Sequence, residues 1–287
     1  MNNLSIKTRI KKVQNNQYLK TENYNYWIRN YSNSSNYLDI NNLTPESDYF
    51  LLLKNEFFNN RKKYSWIDSE NLYYDKAIIV SDGYDFNKIF EYLDKISVKD
   101  NICIMSVNGS LRKWQAYRSP TYYVVNNPYD ECVSFLPKNN RSLPRCIASN
   151  RTNYLFLENY NGLKYRYAPV SESKLCFSNQ NSENFYQIDD YRNPICAAIG
   201  LCYRFHVSKI LFLCCDDVFD TQKPGSISLE ENLYYYSTQD IAVEIIDAYA
   251  YWTKNRISFK HYCRWKKTNN IEYINIDEVL GFIKDEL

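Results

Sequence analysis

Five short apolar runs, each stopping at a small polar residue, constrain this chain more than anything else in it. Three are Lys76-Ala-Ile-Ile-Val80 before Ser81-Asp82-Gly83, Ile102-Cys-Ile-Met105 before Ser106-Val-Asn108-Gly109, and Thr121-Tyr-Tyr-Val-Val125 before Asn126-Asn127-Pro128. The others are Arg145-Cys-Ile-Ala148 before Ser149-Asn150, and Lys209-Ile-Leu-Phe-Leu-Cys-Cys215 before Asp216-Asp217. Unbroken apolar runs of this length suit strands buried on both faces, as in a parallel sheet. Open parallel sheets bind ligands at the carboxyl ends of their strands. One Asn, Asp or Ser after a strand is most often a turn residue. Five in succession point to a polar rim suited to a sugar, a ribose or a base.

Helical patterns separate the runs. Thr44-Pro45-Glu46 reads as a helix start, with Thr44 as N-cap and Pro45 in the first position. The helix extends to about residue 63, with Tyr49, Leu52, Leu53, Glu56 and Phe57 at helical spacing. Phe86, Ile89, Phe90, Leu93 and Ile96 mark a second helix. Asn193-Pro194 opens a third, running to Phe205, whose small face (Cys196, Ala197, Ala198, Gly200) allows close approach to a sheet. A fourth spans Thr238 to Lys254. A strand from Ile257 to Tyr262 and a short end helix close the chain. Alternation of this kind predicts an α/β fold: a doubly wound, mostly parallel Rossmann-like sheet with an N-terminal polar and helical extension. The expected division is an arm and helix over 1–72 and a nucleotide-binding, transferase-like domain over 73–287.

Composition excludes several classes. A net charge of +2 implies no polyanion partner, so no nucleic acid is indicated. No run approaches a transmembrane span, and the first ten residues lack a signal-peptide core. The nine cysteines show no C-x-x-C pair and mostly lie in apolar runs, as small core residues of a reducing compartment do. A cytoplasmic location is the expectation. The terminal Lys284-Asp285-Glu286-Leu287 then reads as the end of a charged helix, not as a retrieval signal.

The candidate chemistry lies at the strand ends. Asp82-Gly83 occupies the first strand-to-helix turn, where glycine lets backbone approach phosphate, but no dinucleotide fingerprint or Gly-Lys-Ser/Thr loop is present. Arg192 stands beside the Asn193 helix start, whose free N–H groups suit an anion. Asp216 and Asp217 are candidates for a metal or a sugar hydroxyl, and adjacent strand positions face opposite ways. Residues 219–232 read as a lid or a surface loop. Tyr234, Tyr235 and Tyr236 offer phenols near a leaving group, in a chain with 29 tyrosines where packing is the default role. His206 and His261 belong to no evident catalytic set.

Several motifs in order carry a resemblance: Ser81-Asp82-Gly83-Tyr84-Asp85-Phe86 after the first strand, Asn108 after the second, and Asn127-Pro128 after the third. The stretch from Asn193-Pro-Ile-Cys-Ala-Ala to Ile210-Leu-Phe-Leu-Cys-Cys-Asp216-Asp217 follows them. Over roughly residues 45–287 the chain resembles a superfamily with three known branches. These are the small bacterial sialyltransferases of surface-glycan synthesis, the motility-associated flagellin glycosyltransferases, and the 6-hydroxymethylpterin diphosphokinase-like proteins. The resemblance implies a nucleotide held by Asp82, Gly83, Asn108, Asn127 and Asn193. It also marks departures. The first turn keeps one glycine, and Asn193-Pro194 stands where sialyltransferases have Ser-Gly. Tyr234 to Tyr236 occupy the region of their catalytic His. The diphosphokinase metal motif is matched only by Asp130 and Glu131.

Three readings follow. The first is a glycosyltransferase with a nucleotide-sugar donor as substrate, no tightly bound cofactor and an unnamed acceptor. There Asn108 and Asn127 hold base and ribose, Arg192 and Asn193 face phosphate, and Tyr234–Tyr236 or Asp217 move the proton. The second is a diphosphokinase using ATP with Mg²⁺ at Asp130, Glu131 and Asp216. The third is a non-catalytic binding or assembly protein on the same fold. The sequence leaves a homo-oligomer open.

Overall fold

The computed structural model describes residues 48–62, 64–67, 72–83, 86–95, 101–116, 119–137, 143–169, 187–188, 190, 193–215, 246–262 and 268–284. In chain order these form α1 (Asp48–Arg61), β1 (Ser65–Trp66), β2 (Lys76–Val80), α2 (Phe86–Lys95) and β3 (Ile102–Val107). A 3-10 helix over Asn108–Ala116 leads to β4 (Tyr122–Val125), and another over Asp130–Phe135 precedes β5 (Arg145–Ser149). Then come α3 (Tyr154–Asn159), β6 (Lys164–Pro169), β7 (Gln187–Ile188), α4 (Pro194–Arg204) and β8 (Lys209–Leu213). Helical residues 246–253 (α5), β9 (Ser258–Tyr262), β10 (Glu272–Ile274) and α6 (Ile276–Lys284) complete the series.

The strands lie side by side in the order β1-β6-β5-β4-β3-β2-β8-β9-β10, with β7 beside β6. Every described pairing is parallel. From β2 the chain winds outward through β3, β4, β5 and β6, then returns to β8 and winds the other way. The reversal lies between β2 and β8. This is a doubly wound Rossmann-like sheet.

Burial explains why the apolar runs do not alternate. All of β2, β3 and β4 is buried. One face packs Ala77, Ile79, Cys103, Met105, Tyr122 and Val124 against α4 and α5. The other packs Ile78, Val80, Ile102 and Ile104 against Phe86, Ile89 and Phe90 of α2 and Phe282 of α6. Further along that face, Tyr123, Val125, Cys146 and Ala148 meet Phe156 and Leu157 of α3. Each fully buried Ile or Val contributes about 1.5–3 kcal/mol, so the middle strands dominate the core energy.

Helix α4 forms as its sequence directs. Asn193 Oδ1 accepts from the Ile195 and Cys196 N–H groups, at 2.8 and 3.3 Å, and Pro194 follows the cap. A Cβ at Gly200 would come within 2.6 Å of Ile188, so glycine allows β7 to lie against this helix.

Several elements differ from the sequence expectation. The links from β3 to β4 and from β4 to β5 are 3-10 helices. Strand β6 is written Lys-Tyr-Arg-Tyr-Ala-Pro, which reads as polar. Its Arg166 guanidinium stacks on the Trp66 ring at 4.0 Å, so the charged residue is covered by an aromatic. Strand β10 is three residues at the sheet edge, too short to leave a pattern. Helix α1 does not bury Phe57, which is half exposed. It buries Leu52, Asn55, Glu56 and Asn59. Residues 48–67 supply both this helix and β1, whose Ser65 and Trp66 pair with Tyr165 and Arg166 of β6.

The polar face of α1 is fastened to the loops after β4 and β5. Asn59 Nδ2 donates to the Asn150 and Thr152 carbonyls, at 3.0 and 2.8 Å. Asn55 Nδ2 donates to the Pro128 and Arg151 carbonyls, at 2.9 and 3.2 Å. Arg151 Nε meets Glu56 Oε2 at 3.1 Å, with side chains 2% and 0% exposed. Removing one partner of such a pair leaves a bare buried charge. Arg151→Met is expected to cost about 3–5 kcal/mol in urea unfolding, and Glu56→Leu with Arg151→Met together clearly less.

His261 in β9 is completely buried, and burial lowers its pKa to about 3. The unfolded imidazole titrates near 6.5. Above that pH both states are neutral and the contribution to stability is complete. Below it the unfolded chain binds a proton that the folded chain refuses. Stability should therefore fall by about 1.4 kcal/mol per pH unit as pH drops from about 6.5 toward 3. Urea unfolding between about pH 7 and pH 5 checks this, and His261→Phe should flatten the slope.

Candidate functional site

The crevice where the winding reverses is the natural ligand position in an open parallel sheet. Its walls are the carboxyl ends of β2 and β8, with β3 beside β2. Ser81 N donates to Leu213 O at 3.1 Å and Gly83 N to Cys214 O at 2.8 Å. The pairing thus continues past both strands. Cys214 takes φ 55° where the chain leaves β8.

Beside this edge, Asn108 leaves β3 in the left-handed region, with φ 42°. Asn adopts that conformation more readily than other side-chain-bearing residues. The turn is held from beneath by Ser110. Its Oγ accepts from Val107 N at 3.0 Å, lies 2.8 Å from Val107 O and 3.2 Å from Val80 O, and meets Ser106 Oγ at 2.6 Å. This hydroxyl therefore joins the ends of β2 and β3. Gly109 comes next, and a Cβ there would approach Asp82 Oδ2 to 3.1 Å. Glycine leaves room for the Asp82 carboxylate to lie over the turn.

Two cations face that carboxylate. Lys113 Nζ donates to Asp82 O at 2.6 Å and lies 3.6 Å from Oδ1. Arg112 Nη2 lies 3.9 Å from Oδ2. The three side chains are 51% (Arg112), 35% (Lys113) and 30% (Asp82) exposed, so the pairs are solvent-screened and worth at most about 1 kcal/mol each. Such weak pairing is easily exchanged for pairing with a ligand anion. Asn108 Oδ1 is buried and meets no donor among the described residues. It is a buried acceptor at the carboxyl end of β3.

The sequence-predicted residues fall into separate groups. Asp82, Gly83 and Asn108 meet at the crevice. Asn127 lies at the end of β4, where its Oδ1 accepts from Tyr129 N at 2.8 Å and closes a turn. Asp130 Oδ1 accepts from Asn153 Nδ2 at 2.8 Å, and Glu131 Oε1 lies 3.5 Å from Asn127 Nδ2. Asn193 caps α4, and its N–H donates to Asp190 O at 2.7 Å. Asp190 is buried beneath it, 2.6 Å from the Tyr167 hydroxyl and 3.4 Å from Asn126 Nδ2. Burial, then the Asp190 carboxylate, pushes the Tyr167 phenol well above its ordinary range, so it donates to that carboxylate. Arg192, Asp216, Asp217, Tyr234, Tyr235, Tyr236 and the 219–232 segment lie outside the described residues, as does the Thr44-Pro45 helix start.

Sequence reasoning missed Arg112 and Lys113. Their signal was present, as a basic pair directly after the Asn108-Gly109 turn. It also missed Asp190 and Tyr167, which no local pattern joins. Among the described residues no three His, Cys, Asp or Glu side chains converge as a metal site requires. No described helix is long and apolar enough to cross a membrane.

No protein-family model matches the chain, and no curated protein matches it by sequence. Several solved structures match the fold. One is the MAf glycosyltransferase from Magnetospirillum magneticum AMB-1, with a TM-score of 0.56 at 12% identity. The match covers 78% of this chain and 38% of that protein, so the chain spans well under half of its length. At this identity the likeness is one of fold.

Backbone conformation and side-chain chemistry at Asn108 are separable. Asn108→Gly suits the positive φ and should leave stability within about 0.5 kcal/mol. Asn108→Val should cost roughly 1–2 kcal/mol, because a β-branched residue resists φ 42°. Thermal unfolding of the two variants checks the contrast.

Proposed function

We propose that this chain is a glycosyltransferase-like transferase that takes a nucleotide-activated sugar at the crevice between β2 and β8. The observation that carries the reading is the buried, unpartnered Oδ1 of Asn108 at the reversal of the winding. An acceptor there suits an N–H of a base or an O–H of a ribose. The fold shared with a glycosyltransferase supports the same class of chemistry.

In this reading each group has a distinct task. Asn108 accepts from the nucleoside. Lys113 and Arg112 release Asp82 and turn to the donor phosphates, where they stabilise the charge that grows on the leaving group. Asp82, freed from both cations, accepts from sugar or ribose hydroxyls. The Asn126–Asp190–Tyr167 group fixes the start of α4, with Asn193 capping the first turn. Proton transfer at the acceptor belongs to Asp217 or to one of Tyr234, Tyr235 and Tyr236. A phenol, with an ordinary pKa near 10, serves more readily as an acid toward the leaving phosphate than as a base. A sialyl donor would be carried as its cytidine monophosphate.

The test is thermal shift with CMP, CDP, UDP, GDP and ATP, each with and without Mg²⁺. A ligand of the folded state at a hundred times its Kd stabilises by about 2.7 kcal/mol. A metal-independent shift with one nucleotide is expected, unchanged in Asn159→Ala, an exposed control at the end of α3. It should be abolished in Asn108→Gly, which keeps the fold. A shift only with ATP and Mg²⁺ would select phosphotransfer instead. No shift with any nucleotide would overturn the donor site.

A further inference from the structure

Because every strand is parallel, the amino-terminal ends of β2, β8 and β9 lie side by side at the end of the sheet opposite the crevice. The segments entering these three strands carry an unusual surface. Among the described residues seven large apolar side chains are exposed, and four of them fall here: Tyr73, Tyr203, Tyr251 and Trp252. They are 68%, 46%, 53% and 76% exposed.

Three of these rings each meet an imidazole or a cation, and closeness in the chain sets the pairs in a strip. The Tyr73 ring stacks on His206 with centroids 4.9 Å apart. Tyr203, three residues before His206, accepts from Arg256 Nη1 at 2.9 Å, and the guanidinium lies 5.0 Å from the ring centroid. Lys254 Nζ lies 4.7 Å from the Tyr251 ring centroid. Trp252 stands between these two residues in sequence, at the carboxyl end of α5. The described carboxylates in the entering segments are Asp75, to which Asn101 donates, and Asp247, which accepts from Asn270 N and Nδ2 at 3.0 and 2.9 Å. The strip is aromatic and cationic, and its rings are those with one apolar body and one polar edge.

We propose that this end of the sheet docks on the surface of an anionic bilayer. Tyr and Trp side chains settle at the headgroup level, where the ring is in apolar surroundings and its polar atom meets water. Lys254 and Arg256 supply attraction to anionic headgroups, at a distance where salt screens it. No spanning helix is involved; the contact is peripheral. Strands β2 and β8 are five residues long, so the crevice lies on the order of 16 Å above the docked face and opens away from it. The proposal stands independently of the donor chemistry.

The test is co-sedimentation of the full chain with vesicles of phosphatidylcholine alone and of phosphatidylcholine mixed with phosphatidylglycerol. Binding is expected only to the mixed vesicles, falling as ionic strength rises. Lys254→Glu with Arg256→Glu should weaken it by about tenfold or more. Tyr251→Ser with Trp252→Ser, which keeps both cations, should weaken it as well. Neither pair should change the melting temperature greatly, since all four side chains are exposed. Absence of binding to mixed vesicles overturns the proposal, as does binding that ignores salt or both variant pairs. A chain that is dimeric by light scattering, made monomeric by the same variants and blind to vesicles would assign the strip to a second copy instead.

Discussion

The parallel pairing of β2 with both β3 and β8 is the constraint on which the rest depends. Parallel pairing requires every connection to cross a face of the sheet, so both faces are covered. That is why β2, β3 and β4 are apolar along their whole length. It also places every strand end of one kind on one side. A polar residue that ends a strand must then either satisfy its neighbours or face a ligand. β2 is the one strand whose neighbours were reached by winding in opposite directions, so the carboxyl edge opens beside it.

Polar strand ends divide on that basis. After β4 and β5 the polar residues are consumed by the protein itself. Asn127 makes a turn, Asn153 caps α3 and holds Asp130, and Thr152 Oγ1 donates to Val125 O at 3.0 Å. Helix α1 lays Asn55, Glu56 and Asn59 against the remaining carbonyls. The buried Glu56–Arg151 pair is better regarded as fixing the position of α1 than as a net source of stability, because desolvation offsets much of its attraction. At β2 and β3 the balance differs. Ser110 satisfies the backbone, and Asn108 keeps an acceptor in hand.

Much of the fold was legible, and the reason is simple. Apolar runs report double-sided burial, and Asn193-Pro194 reports a helix start, because both effects are local. What was illegible depends on partners distant in sequence. Strand β6 looks polar because Arg166 is covered by Trp66, a hundred residues earlier. Helix α1 misleads because its buried face is built from amides and a carboxylate that only the loops after β4 and β5 can satisfy. The periodic apolar residue Phe57 is exposed for the same reason. Asp190 and Tyr167 meet through tertiary structure alone. The polar rim was visible as a list of Asn, Asp and Ser, but not which members were already bonded.

Asp82 shows why that distinction governs chemistry. In the proposed reading a carboxylate beside the donor phosphates is repulsive unless its charge is met, and here Lys113 and Arg112 meet it at 3.6 and 3.9 Å. Both pairs are partly exposed, so neither is strong enough to hold against an incoming dianion. Two cations share one carboxylate, so the cluster keeps an excess of positive charge for an anion. The cost is the repulsion of a displaced Asp82, which a hydroxyl-bearing sugar relieves by hydrogen bonding and a bare phosphate does not. Under the proposed donor reading, such a site would favour an anion attached to a polyol over the anion alone. Gly109 leaves space beside that carboxylate, since a Cβ there would approach Asp82 Oδ2 to 3.1 Å.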